Sequence, residues 1–467
     1  MYNETVSKRS LILRVVVLVL ALAGTVGLWG HTVTAQERSP GAADASVVRL
    51  SVEDALAKAR DESFPVRSSQ AAERLTRAKK RQSLAVFLPQ VTLSEQGLAT
   101  TDPVNAFGFT LQQERFTQAD FAVDALNDPD RVDHFVTQAE VRQPLLNLDG
   151  IYERRAAADA VRAATKTTEW TQSRVAFQVK KGYYGLLLAQ RRVAVLDSSL
   201  SAARANRDQA QDLYEQGMIN RADQLAAEVR VSELESERTD AAADRRTAAD
   251  RLRFLIGIDE DVQIVPTDSL ALERPDLAPI SLPEVNERRS DMQALRYRAD
   301  AAEKNVRSRW MAFVPTLNAR GTTGWYDDSP FGTRGQSWTV GVSLSWSLFD
   351  GYKQIGEAQQ AEAEQQRAEV ALQEQALENE VEIEATRRDI LAARDRMEQA
   401  REAVEQAEES LRIRSDRYAE GMARTTDLLQ AEAALASRRL AHLNALYDHN
   451  VAVYRLELLT ERDLTVD

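Results

Sequence analysis

Cysteine is absent from all 467 residues. That excludes structural disulfides, thiolate metal sites, cysteine nucleophiles and a lipoprotein-type acylated cysteine together. Histidine occurs four times and aromatics make up only 6% of the chain, which is sparse for a compact enzyme. We find no nucleotide-binding loop, no Ser/His/Asp grouping and no zinc motif. His442 and His449 lie seven apart on one helical face, but no further ligand pattern joins them, so neither a metal nor a cofactor is expected. Beyond the N-terminus no segment is apolar enough for a spanning helix. Positive charge is also in deficit, with 59 Lys and Arg against 72 Asp and Glu. An acidic chain without a basic stripe is a poor candidate for nucleic-acid binding.

The N-terminus departs from the rest. Lys8, Arg9 and Arg14 form a basic start, Val15 to Trp29 is an apolar run, and Val33–Thr34–Ala35 is a small-residue cleavage site. This pattern reads as a secretory signal over 1–35, followed by a flexible mature N-terminus over 36–50. The run is short for a membrane anchor. The chain carries −13 overall, and without 1–35 it carries −15, because that segment holds three bases and one acid.

What is abundant is repetition. Tyr214–Glu215–Gln216–Gly217–Met218 returns as Tyr418–Ala419–Glu420–Gly421–Met422, and Asp223, Leu225 and Glu228 return as Asp427, Leu429 and Glu432. Pro89 returns as Pro315, and Asp149–Gly150 as Asp350–Gly351. The repeating unit is domain-sized. The first copy is assigned to 51–256 and the second to 282–460, with a linker over 257–281 and a tail over 461–467. Each copy reads as short helix, strand pair, very long helix, Gly turn and return helix.

The long helices, the first expected to start after Asp149–Gly150, carry a seven-residue repeat. In copy one it places Val175, Gly182, Ala189, Leu196 and Ala203 on one seam position, and Val179, Leu186, Val193 and Leu200 on the other. In copy two the seam is Ile383, Ile390, Met397, Val404 and Leu411 beside Thr386, Ala393, Ala400 and Ala407. A sustained period of 3.5 predicts supercoiled, knobs-into-holes packing. The short and return helices together match the long helix in length, so stacked end to end they can flank it along its height. Single short helices are expected from Ser51, as N-cap, to about Phe87, and from about Pro283 to Phe313.

Strand pairs are expected over about 90–142 and 316–347. Trp338, Val340, Val342, Leu344 and Trp346 alternate with small or polar residues, the pattern of a transmembrane barrel strand with aromatics at its ends. A soluble hairpin packed on one face fits that segment nearly as well. Four strands cannot close a barrel, and open edges in lipid leave unpaired backbone groups. If these strands enter a membrane, several protomers share one barrel. Copy one has a longer intervening loop, carrying Phe107, Phe109, Phe116 and Phe121, expected at the surface.

Trp346–Ser347–Leu348–Phe349–Asp350–Gly351 at the strand-to-helix junction and Tyr183–Tyr184–Gly185–Leu186–Leu187–Leu188–Ala189–Gln190 early in the long helix join the two tip motifs. On these the chain bears a resemblance, over about 50–460, to the TolC family of outer-membrane efflux proteins. It implies a mainly α fold of duplicated helical hairpins forming a periplasmic tunnel. It also implies a homotrimer whose four strands per protomer make one 12-stranded barrel in outer-membrane lipid. The implied function is the passive exit duct of a tripartite efflux pump or type I secretion system, docked to a periplasmic membrane-fusion adaptor and an inner-membrane pump of RND or ABC type. The competing reading is a periplasmic coiled-coil adaptor or scaffold without a barrel. The resemblance places Asp427 at the closed periplasmic entrance. It sets Asp223 across from Tyr418 of the opposite hairpin, and on a three-fold axis each inward carboxylate becomes a ring. Helix capping explains Asp223 and Asp427 equally simply. Gly217, Met218, Gly421 and Met422 are the expected adaptor-docking tips, with turn chemistry as the plain alternative.

Overall fold

The computed structural model describes residues 47–258, 262–276 and 279–464; the signal-peptide assignment over 1–35 lies outside them. Copy one comprises α1 (Val52–Glu62), α2 (Phe64–Gln82), β2 (Gln90–Thr100), β3 (Val132–Leu146), α5 (Leu148–Glu215) and α6 (Arg221–Leu255), with α3 (Pro103–Gln112) and α4 (Val123–Asn127) in the enlarged loop. Copy two comprises α7 (Leu282–Arg288), α8 (Ser290–Met311), β5 (Thr316–Asp327), β6 (Gly335–Ser345), α9 (Lys353–Ala419) and α10 (Thr425–Thr460). Two short strands, β1 (Val47–Leu50) and β4 (Gln263–Pro266), pair in parallel.

The helices form a wall of four columns. Continuous α5 and α9 alternate with two stacked columns, α1/α2 above α6 and α7/α8 above α10. At 67 residues α9 is about 100 Å long. The seam residues do what their period demands. Val179, Leu186, Val193, Leu196, Leu200 and Ala203 are buried, as are Ile383, Thr386, Ile390, Ala393 and Met397. Burial fades toward the α9 tip, where Val404 and Leu411 are half-exposed. Gly182 lets α6 approach closely, since a Cβ there would meet Leu255 Cδ1 at 3.0 Å.

Three expectations need correction. Neither short helix is continuous. Ser63 and Arg289 both take extended ψ values, 139° and 130°, and split the helix in each copy. In copy one Pro65 lacks the N–H that a continuous helix would use. In copy two no local breaker exists. The break instead lets Arg289 tuck in, 1% exposed, with Nη1 donating to Leu459 O at 3.2 Å and the guanidinium lying 4.8 Å from the Trp170 ring. Arg288 Nη2 donates to Thr460 O at 2.5 Å. Two cations thus cap the last carbonyls of α10, where the helix dipole favours them. Second, Val47–Leu50 belong to a strand rather than a flexible terminus, and the 257–281 linker supplies its partner. Tyr183 ties this pair to α5, its Oη lying 2.6 Å from Asp268 Oδ2 and 2.9 Å from Leu50 O, with one proton to share between them. Third, Asn147 caps α5, its side chain accepting from Gly150 N–H at 3.1 Å, so Asp149–Gly150 lie inside that helix.

The sheet is antiparallel, in the order β2-β3-β5-β6. Its register runs Gln90↔Arg142↔Arg320↔Gly341 across all four strands. One face carries Val91, Leu93, Val141, Trp338, Val340, Val342 and Leu344, all exposed, with Trp338 at 74%. The opposite face carries Thr92, Ser94, Gln138, Glu140, Arg142, Asn318, Arg320, Thr339 and Ser343. Among the described residues the free edges of β2 and β6 have no strand partner, and no helix is long and apolar enough to cross a membrane.

Candidate functional site

Two places concentrate chemistry, the hairpin tips and the sheet. Each tip is closed by the same backbone bonds. Gly217 N–H donates to Tyr214 O at 2.9 Å and Met218 N–H to Leu213 O at 2.9 Å; Gly421 N–H donates to Tyr418 O at 3.0 Å and Met422 N–H to Arg417 O at 2.8 Å. This is the Schellman arrangement, which needs a left-handed residue at its centre. Gly217 and Gly421 supply it with φ of +74° and +71°. A Cβ at either would meet nothing within 4 Å, so the requirement is torsional and not steric. Met218 and Met422 stand 61% and 67% exposed at the ends.

Asp223 and Asp427 occupy the third position of their helices. The N-cap of α6 is Asn220, whose Oδ1 accepts from Asp223 N–H at 3.0 Å. Asp223 therefore does not cap α6, although its charge suits the first turn. Asp427 does contribute to capping, accepting from Arg424 N–H at 3.4 Å. Tyr418 is buried, with Oη 3.4 Å from Thr425 Oγ1 in its own hairpin. Gly217, Met218, Asp223, Tyr418, Gly421 and Thr425 line one groove of 980 Å³ between the tips. Asp427 and Met422 line a second, of 830 Å³, with Glu405, Glu409, Arg414 and Arg417 on the flank of the second hairpin.

Sequence reasoning missed Asn220, although an Asn three residues before an Asp at a helix start is a readable cap signal. It also singled out the Glu228/Glu432 pair only as a repeat. Glu432 accepts from Asn206 of α5, and burial pushes its carboxyl above the ordinary range. His442 and His449 do not converge. His449 is buried, its Nε2 3.1 Å from Glu273 O, whereas His442 lines a groove with Arg191 and Arg439.

The enlarged loop packs against the polar face of the sheet at the end away from the helices. Phe109 stacks on His134 at 4.0 Å, and Tyr326 flanks the imidazole at 5.7 Å. Gln113 Nε2 donates to Asp133 O at 2.8 Å and to Asp327 O at 3.2 Å, and Arg115 pairs with Asp328 at 2.7 Å. Phe116 packs edge-to-face against both Phe107 and Phe121. At Gly335 a Cβ would fall 1.9 Å from Gln112 O, so the loop's backbone sits where only glycine leaves room. The sequence marked these aromatics but gave no hint of their partners.

Solved structures share this architecture. A membrane protein from Pseudomonas aeruginosa superposes with a TM-score of 0.75 at 18% identity, covering 91% of this chain and 99% of that one. The CmeC outer membrane channel of Campylobacter jejuni gives 0.74 at 14% identity, covering 89% and 86%. The MtrE outer membrane channel of Neisseria gonorrhoeae, in its open state, gives 0.72 at 16%, covering 88% of each. At such identities the likeness establishes the fold. No curated protein sequence matches significantly. A family model for outer membrane efflux proteins matches residues 55–258 and 282–461, both repeats and most of the chain, and the chain belongs to that family.

Proposed function

We propose that this protein is the outer-membrane exit duct of a tripartite efflux pump or type I secretion system, acting as a homotrimer. The carrying observation is the sheet: four strands with one exposed apolar face and two open edges, joined to helical hairpins about 100 Å long. In lipid every backbone polar group needs a partner, so β2 of one protomer pairs with β6 of the next. Three copies give twelve strands. The helical wall continues the barrel as a tunnel into the periplasm, and its tips meet a membrane-fusion adaptor through Gly217–Met218 and Gly421–Met422. Asp223, Tyr418 and Asp427 gate the narrow end. Energy comes from an inner-membrane pump. Relatives of the same fold named as outer membrane channels, one of them in an open state, support this reading. A periplasmic scaffold would leave the apolar face and both edges uncovered.

Extraction in mild detergent followed by mass determination tests the assembly. Three chains per particle are expected. A stable monomer that is soluble without detergent overturns the barrel.

A further inference from the structure

The four strands present few charges to their polar face. Among the described strand residues, that face holds only Glu140, Arg142 and Arg320, apart from His134 under the loop. Arg142 and Arg320 are register partners on β3 and β5. Both converge on one carboxylate. Arg142 Nη2 donates to Glu140 Oε1 at 3.0 Å and Arg320 Nη2 to Glu140 Oε2 at 2.8 Å. The Glu140 side chain is 18% exposed and both of its oxygens are occupied, whereas each arginine side chain stays 56% exposed. A guanidinium has five N–H donors, so most of them remain turned to the open side. Opposite Arg320 on β6 stands Gly341, where a Cβ would meet nothing within 4 Å, which leaves the open side unobstructed. The cluster lies on the order of 20 Å along β3 from His134 and the loop. In a chain of net charge −13, this surface carries the opposite sign.

We propose that Arg142 and Arg320 form an anion-binding ring in the lumen of the barrel, selective for multiply charged oxyanionic groups such as phosphates and clustered carboxylates. The proposal rests on the trimeric barrel reading. Three copies set six guanidiniums against three carboxylates at one level of the lumen. Glu140 bridges each pair of arginines without neutralising it, so a net positive charge remains in every protomer's share of the ring. A charged ring between low-dielectric walls concentrates counter-ions. The duct then carries two filters of opposite sign, carboxylates at the hairpin tips and guanidiniums in the barrel. Knitting β3 to β5 would by itself account for the ion pairs, so the test must read something a cross-strand tie does not move.

The test is block of single-channel current by inorganic tripolyphosphate, added to both chambers of a planar bilayer of zwitterionic lipid. Wild-type channels are expected to be blocked. In R142Q/R320Q the half-blocking concentration should rise about tenfold or more. R142K/R320K keeps the charge while loosening the bonds to Glu140, and should retain block. E140Q should strengthen it. Intact channels whose block is the same in wild type and R142Q/R320Q overturn the ring and leave the barrel standing. Loss of block in the Lys variant equal to that in the Gln variant also overturns it, because charge would then not be the cause. Failure of the wild-type protein to form channels at all overturns the barrel reading instead.

Discussion

Asp427 can be asked for two different things by two different measurements. Its carboxylate accepts from Arg424 N–H at 3.4 Å, so Asp427→Ala should cost about 1 kcal/mol of helix stability whatever its other duties. If it also rings the entrance, the same substitution should reduce cation preference and weaken block by multivalent cations in planar bilayers. Asp223 is the cleaner probe, because Asn220 and not Asp223 caps α6. Tyr418→Phe removes one phenol whose contact within its own hairpin is a long 3.4 Å, so it should barely disturb the fold. Tyr418→Phe with Asp223→Ala is expected to raise single-channel conductance. A modest stability loss with unchanged conductance and selectivity would remove all three residues from the gate. At this scale the sequence was legible as far as residue type and repeat position. Whether each carboxylate serves a backbone group depends on Asn220 and Arg424, whose roles a motif comparison does not weigh.

The hairpin is the element whose turn was most readable. A Gly ending a heptad-patterned helix and returning in the second copy requires a left-handed residue, and both glycines have one. Because a Cβ on Gly421 meets nothing within 4 Å, Gly421→Val isolates the torsional cost, about 1–2 kcal/mol. It should splay the tip without disturbing the wall. We expect weaker cross-linking to the adaptor and reduced efflux, with trimer yield unchanged. Wild-type cross-linking and efflux would show that the tip does not dock. The long helices and the β5–β6 pair were equally legible, since a period of 3.5 over many turns and a period of two over nine residues admit few alternatives. The split short helices were not. Pro65 was an available signal in copy one, but Arg289 is a good helix former, and what bends the chain there is the end of α10, some 170 residues away in sequence. The pairing of β1 with β4 escaped for the same reason, as four-residue strands carry too little pattern to be seen locally.

At the scale of the whole molecule the proposed barrel predicts that β2 of one protomer meets β6 of the next, and the chain's composition makes this testable. With no native cysteine, any introduced pair reports on itself alone. In one protomer β2 and β6 are separated by β3 and β5, so their side chains lie roughly 14 Å apart at about 4.8 Å per strand step. A disulfide needs Cα atoms within about 7 Å, so it cannot form inside one chain. Ser94→Cys on β2, combined in turn with cysteine at Ser337, Thr339, Ser343 or Ser345 on β6, places both thiols on the polar face, where the introduced side chain meets no lipid. The scan is needed because the register across the shared edge follows from the barrel's stagger and not from any contact within one chain. One of the four pairs should oxidise readily in membranes and give a ladder on denaturing gels that ends at three chains. A ladder ending at two, or running past three, would mean that the edges join in some other closure. No cross-link at any of the four positions, in protein that still reaches the membrane, would mean that β2 and β6 do not meet.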